Sequence, residues 1–518
     1  YGIYNGSNTL GTNDETMKII NPEIVGDLYG IYGGTTNFYD GVLKGKTAAY
    51  IEGAIKSIPD GAVYHKEDIE GYRYTWLEEG EAYLEVNGVE YSSMTKAYNA
   101  IEGTGTIKVI ASITSEASLP SFSNNKNVTL DLNGHSITYS QPLINTNGTL
   151  TIIDSTEEQK GSINNVNTGT PTITHNGGTL TIESGNINGI WRAIYAHAGT
   201  TTINGGTVKC ESTTTANTAI YADNGAKVIV NNGNISAITN APAGNPSGNS
   251  NRDTLAFYLG GSASLTINDG TIEANGSALN GNHSIIHLNN VSSNSVATIN
   301  GGTFTVNHGI AEGVSNPTYP KSYIAYVTTG NNARSVTVKI NGGTFDITSQ
   351  IMACGTTATW FFQTEITGGT INITAPTAYG IFSNGSSSLN NIVSGGSITV
   401  NSTNTGYGIS GGTNTIRGGT ITVNSTNTGY GISGGTNTIT GETIKATTYG
   451  IYNGTNTLGT NDETMNITNP EIVGDLYGLY GGTLNFYDGV LKGQTAAYRN
   501  ININNKPRDT KIYEEIQT

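Results

Sequence analysis

Charge is scarce in this chain. Only 12% of its 518 residues are Asp, Glu, Lys or Arg, which does not fit the charge-rich composition that keeps a chain disordered. Basic residues are the scarcer sign, with 24 Lys and Arg against 39 Asp and Glu and a formal net charge of -15. That balance argues against a nucleic-acid partner, which needs clustered Lys and Arg. An acidic, polar exterior instead keeps a long particle in solution. Cysteine occurs twice, as Cys210 and Cys354, and matches no metal-ligand spacing. Two buried free thiols are therefore expected. No run of 18 apolar residues is present, so no membrane-spanning helix is expected. No secretory leader is visible, and the first residue is Tyr1. The chain reads as a piece of a larger polypeptide or as a processed product.

What fills the space is glycine, at 70 residues, together with Asn, Thr, Ser, Ile and Tyr. Gly, Asn and Thr are poor helix formers. Many short β-branched strands punctuated by Gly and Asn turns fit this composition better. Self-similarity confirms a repetitive plan. Residues 1–50 return as residues 449–498, at an offset of 448, with six differences in fifty. The fragment thus holds one long unit and the overlap of a second, and a parent chain carrying several copies is expected.

A shorter repeat lies inside the longer one. Its frame is apolar, two residues, Gly in the second of them, small polar, apolar. Ile182 to Ile187, Ile203 to Val208, Ile267 to Ile272, Ile299 to Phe304 and Ile416 to Ile421 all follow it. The Gly positions are 185, 206, 233, 270, 302, 343, 369, 396 and 419. Their spacing has a floor near 20 residues and a variable excess. A second frame of the type "YGI" sits between, as in Tyr407-Gly408-Ile409 and Tyr430-Gly431-Ile432. A unit of some 20 residues cannot bury its own apolar face, so it must stack on its neighbours. The pattern resembles the right-handed parallel β-helix of the pectate-lyase type. That resemblance implies an all-β solenoid in which each coil lies about 4.8 Å above the last. The main rod is expected over 105–498. Insertions at 241–252 and 315–321 are expected to bulge outwards.

Residues 51–104 differ in kind, with many of the charges in "HKEDIEGYRYTWLEEGEAYLEVNGVEY". Asn87-Gly88 marks a hairpin turn, and Ser92 or Ser93 is placed to cap a short helix through "MTKAYNAI". This segment reads as a small α/β cap between successive rods, since a solenoid end exposes unpaired backbone. Residues 1–50 then read as the last coils of a preceding rod, frayed or leaning on another surface. Residues 499–518 read as the start of the next linker. The order "GTIKVI", "NVTLDLNGHSI", "GTLTIIDS" after a short helix resembles the β-helical repeat regions of large surface proteins and adhesins of Firmicutes. The resemblance covers 90–155 best. It implies an extracellular, cell-surface location and carries no catalytic residues.

Chemistry is thinly signalled. A glycosidase needs two carboxylates held a few ångströms apart, and no adjacent Asp pair occurs. Arg192, Arg252, Arg334 and Arg417 fall in different coils without an acidic cluster, which disfavours a lyase. His135, His175, His197, His283, His287 and His308 show no metal spacing and read as turn or surface residues. The "GTNDET" runs at 11–16 and 459–464 could hold Ca²⁺ only weakly and read as solvated loops. No catalytic residue, metal or cofactor is assigned. Tyr and Ile of the "YGI" frames are expected on one side of the strand, stacked inside or at the rim. The candidate ligand or partner contacts are Trp191 and Arg192 in "NGIWRAIY", with Tyr407 and Tyr430. The expected function is a structural and adhesive rod of a repetitive bacterial surface protein or extracellular filament, a rigid spacer or fibre unit. Its expected partners are other copies, joined end to end or through neighbouring repeats, and a glycan or host surface. The alternatives are a polysaccharide-active or carbohydrate-binding β-helix, and a phage tail-fibre or spike component.

Overall fold

The computed structural model describes residues 1–12, 21–59, 61–115, 119–123, 126–213, 216–240, 253–276, 280–291, 295–309, 319–328, 336–358, 362–383, 390–441, 443–461 and 470–507. The chain is all-β, with one short helix, Met94–Asn99. From Thr104 to Asn505 its strands form one long, many-stranded parallel sheet. Each strand pairs with the one three places further on, so three successive strands make a layer and three ladders run through the layers.

The short repeat maps onto this directly. Its first apolar position forms one inward column in the first ladder. Ile182 pairs with Ile203, Ile203 with Val230, Val230 with Ile267 and Ile299 with Ile340. Its last position forms a second inward column in the second ladder, where Ile187 pairs with Val208, Val208 with Ile235 and Phe304 with Phe345. The two Phe rings stack 4.3 Å apart. These side chains are buried in a single continuous core. Each fully buried Ile or Phe stabilises the stack by about 1.5–3 kcal/mol.

The glycine between the two columns turns the corner. Gly206 has φ +73°, and a Cβ there would lie 2.4 Å from the carbonyl oxygen of Gly185 in the layer before. A left-handed backbone and a close approach together exclude other residues. This corner therefore has a constant, short length. Extra length enters at the other two corners, which accommodates the soft ceiling on the repeat spacing. Most of both expected insertions lies outside the described residues.

Asparagine adds hydrogen-bonded columns to the apolar ones. Buried Asn391 donates to Asn414, Asn414 to Asn437 and Asn437 to Asn456, each at 2.7 Å. The second amide hydrogen of Asn437 reaches the Gly434 carbonyl at 3.0 Å. Asn437→Ala would strip partners from Asn414 and Asn456 inside the stack. We expect a stability loss of about 2–4 kcal/mol, read as a drop in denaturation midpoint. A midpoint within error of the parent would show that the column carries no net energy.

The first 79 residues form a smaller unit with its own core of Leu10, Ile31, Phe38, Leu43, Ala49, Ala54 and Leu77. The expected fraying of residues 1–50 is not what the described residues show. Ile3–Tyr4, Tyr29–Tyr32 and Ala48–Tyr50 stack in parallel. Val42–Gly45 is covered by Tyr72–Glu79 of an antiparallel hairpin whose other strand is Ala62–Ile69. Leu77 and Ala54 complete a core that two coils could not close alone. Residues 51–104 thus divide between two tasks. The hairpin Ala62–Glu79 closes the first unit. The hairpin Leu84–Val86/Val89–Tyr91 and the helix, N-capped by Ser93, start the second. Asn87 and Gly88 both take positive φ at the expected turn. Stacking continues through Ala496–Arg499 and Asn502–Asn505, beyond the expected end of the rod at 498. Cys210 and Cys354 are buried and free. No helix is long and apolar enough to cross a membrane.

Candidate functional site

All four candidate contact residues fall on one face, the third ladder. Trp191 precedes the strand Arg192–Ala196, Tyr407 lies in Asn390–Ser410 and Tyr430 in Thr428–Ser433. The structure brings Trp191 to Arg192 and Tyr407 to Tyr430 but keeps the two pairs apart, with six strands of that ladder between them.

The expectation that Tyr and Ile share a side is corrected here. In Tyr407-Gly408-Ile409 both Gly408 and Ile409 are buried while Tyr407 is half-buried. A Cβ on Gly408 would meet Ile421 Cγ2 and the Gly431 carbonyl oxygen, each at 2.4 Å. The strand bends at this glycine and points two consecutive residues inwards, which breaks the period of two and leaves Tyr outside. The tyrosines then stack upon each other. Tyr379, Tyr407, Tyr430 and Tyr449 lie at centroid distances of 4.7, 5.0 and 5.3 Å, nearly parallel. A second column runs Tyr195, Tyr221, Tyr258, His287, Tyr326 at 5.3, 4.2, 5.4 and 5.2 Å. The outcome is an aromatic stripe along one face.

Arg192 sits at one end of that stripe. Its guanidinium lies 3.8 Å from the Trp191 ring centroid, 3.6 Å from Tyr221 and 5.3 Å from Tyr195. No carboxylate among the described residues forms an ion pair with it. Burial lowers its pKa from the ordinary value, and the neighbouring Tyr and Asp223 oppose that. A guanidinium held between two rings keeps a planar fork of donors in place for an anion.

Beside it lies a polar cluster that motif reading missed. His197 Nδ1 is 2.7 Å from Asp223 Oδ1, and the Tyr195 hydroxyl donates to Asp223 Oδ2 at 3.1 Å. Burial first, and then Asp223, pushes Tyr195 up to about 12, so it stays a donor at neutral pH. The signal was available. Aligning "RAIYAHAG" with "TAIYADNG" places Tyr195 beside Tyr221 and Ala196 beside Ala222, as the register shows, and so sets His197 next to Asp223.

The remaining histidines are a correction. His175, His283, His287 and His308 are buried in the stack, not at turns or on the surface. Each occupies an inward or corner place where the strand alternation leaves it among packed layers. His175 meets Asn145 Nδ2 at 3.1 Å, and His287 meets Thr328 Oγ1 at 2.9 Å. His283 and His308 pack ring to ring at 4.1 Å. Among the described residues no three His, Cys, Asp or Glu side chains gather as a metal site would require. Most of both "GTNDET" runs lies outside the described residues.

An open groove of about 460 Å³ lies beside the tyrosine column, lined by Thr374, Pro376, Asn401, Thr403, Asn424 and Thr426 among others. It is built where the doubled 23-residue stretch stacks on itself, with Asn424 donating to Asn401 at 3.0 Å and Asn427 to Asn404 at 3.2 Å. No family model, curated protein or solved structure matches this chain.

Proposed function

We propose that the chain is a rigid rod module of a repetitive bacterial surface protein or extracellular filament, folded as a right-handed parallel β-helix. The observation that carries this is the uninterrupted succession of layers from Thr104 to Asn505, each bonded to the layer before and after. The right hand follows from the strong preference of parallel crossovers. Sixteen successive strands of the first ladder, at about 4.8 Å each, span roughly 70 Å. Extending such a stack breaks whole ladders of backbone hydrogen bonds, so the rod has little slack. That property suits a spacer or a fibre unit. Small-angle scattering of the monomer should give the curve of a rod, and the curve of a sphere would sink the reading.

The stack of Trp191, Arg192 and Tyr221 favours a second reading, in which the same rod binds an anionic carbohydrate. Aromatic faces take the apolar side of a sugar ring, while the guanidinium pairs with a carboxylate or sulfate. Arg192→Ala should weaken binding to a uronate polymer about tenfold to a hundredfold by calorimetry. Equal affinity of parent and variant would remove this site. Steady formation of reducing ends or unsaturated products on the same polymers would favour the polysaccharide-active alternative. A trimer in sedimentation would favour the phage-spike alternative.

A further inference from the structure

The two copies of the 50-residue stretch stand in different surroundings, and the contrast identifies a docking edge. In the first copy, Val42–Gly45 pairs antiparallel with the hairpin strand Tyr72–Glu79, with Arg73 opposite Gly45, Tyr74 opposite Lys44, Thr75 opposite Leu43 and Trp76 opposite Val42. Under that hairpin Phe38 and Leu43 are fully buried and Ala49 is nearly so. In the second copy the same four residues recur as Val490–Gly493, and none of the six differences falls within them. Here the strand pairs only on its inner side, with Glu471–Gly474. Phe486, Leu491 and Ala497, the counterparts of those buried residues, are partly exposed, and Lys492 is exposed.

We infer that Val490–Gly493 is the docking strand for the Ala62–Glu79 hairpin of a second copy of this chain. The inference rests on the reading of the protein as a self-associating rod, and it names the two surfaces that join. The occupant is set by identity of sequence, since the hairpin already recognises Val-Leu-Lys-Gly once within the chain. The contacts carry over. Lys44 lies 4.7 Å over the Tyr74 ring and forms an ion pair with Glu23. Lys492 forms the matching ion pair with Glu471 and presents the same ammonium to an incoming Tyr74. Thr75 and Leu77 of the hairpin, each 2% exposed in the first unit, would cover Leu491 and Phe486. One contact is lost, because Lys46, 5.3 Å from the Tyr72 ring, is replaced by Gln494. Backbone pairing at an open edge supplies affinity and the alternate side chains supply register. Within one chain the hairpin meets Val42–Gly45 at a high effective concentration, so joining two chains requires exchange of the hairpin from one edge to the other.

Disulfide trapping tests this on full-length chains. Chains carrying only Tyr74→Cys are mixed with chains carrying only Lys492→Cys and oxidised. The native thiols, Cys210 and Cys354, are buried and do not compete. A single chain with Tyr74→Cys and Lys44→Cys is the control and should close an internal disulfide. The expected result is a disulfide linking positions 74 and 492 of different chains, identified by peptide mass. Adding Leu43→Asp to the Tyr74→Cys chain loosens the internal edge and should raise the yield about tenfold or more. Adding Leu491→Asp to the Lys492→Cys chain should abolish it. The inference is overturned when the control closes and the Leu43→Asp chain keeps its far-ultraviolet strand signal, yet no 74–492 link forms. Rod-like scattering of the monomer would survive that outcome, so the two readings fail separately.

Discussion

Gly408→Val is expected to cut the stack in two. A Cβ at this position would lie 2.4 Å from the Gly431 carbonyl oxygen and 2.4 Å from Ile421 Cγ2. Neither neighbour can yield cheaply. The carbonyl belongs to the backbone of the next layer, and Ile421 is fully buried. The same approach recurs in layer after layer. Cβ atoms on Gly355, Gly380, Gly431 and Gly450 would meet the next glycine's carbonyl oxygen at 2.3 to 2.5 Å. A branched side chain here costs about 3–5 kcal/mol. Because each layer contacts only its neighbours, the loss stays local. Limited proteolysis should therefore show a new cut close to residue 408 and two protected fragments. Gly434→Asn is the matched control. Gly434 has φ +70° with nothing within 4 Å of its Cβ position, and the next layer already carries Asn453 there at φ 60°. That variant should melt within about 1 kcal/mol of the parent. Equal protease resistance of Gly408→Val and Gly434→Asn would refute the close-packed glycine column.

Acid is expected to loosen the stack well before its carboxylates titrate. Burial pushes His175 down to about 4, against backbone acceptors that partly oppose it. His283 is pushed down further by burial and by its neighbour His308. A neutral folded histidine and an unfolded one that protonates near 6.5 differ in proton uptake, and the unfolded state binds more. Stability therefore rises with pH across this window. It is fully present above about 6.5 and is lost as pH falls towards 4, and His175 adds no further loss below that. The contribution of His175 is about 3 kcal/mol. Thermal melts between pH 7 and pH 4 should fall steeply in the parent. His175→Asn should flatten that fall, because an amide keeps the contact with Asn145 and does not titrate. An identical slope in the variant would show that the ring is hydrated.

The layered plan was legible because its cause is local. The frame from Ile203 to Val208 places two inward residues around a glycine whose backbone no other residue adopts easily. Repeating that frame leaves stacking as the way to bury both residues. Asn87-Gly88 and Ser93 likewise carry their turn and cap within a few residues. The site was legible only in part. Trp191 and Arg192 stood out as neighbours in the chain. Tyr221 and Asp223 belong to the following layer, and their approach depends on a register that short motifs do not state.

The amino-acid order alone established strands rather than helices, the corner glycines, the free thiols and the duplicated end. These follow from backbone preference, alternation and identity, which act within one layer. Three-dimensional packing settled the rest. It turned the tyrosines outwards through a two-residue inward bend at Gly408. It buried histidines that composition would place on the surface. It also gave two nearly identical 50-residue stretches opposite fates, one closed by a hairpin and one open at its last strand. The reason is common to all three. Which atoms lie one layer away depends on contacts 20 to 40 residues distant in the chain, and the local pattern says nothing of them.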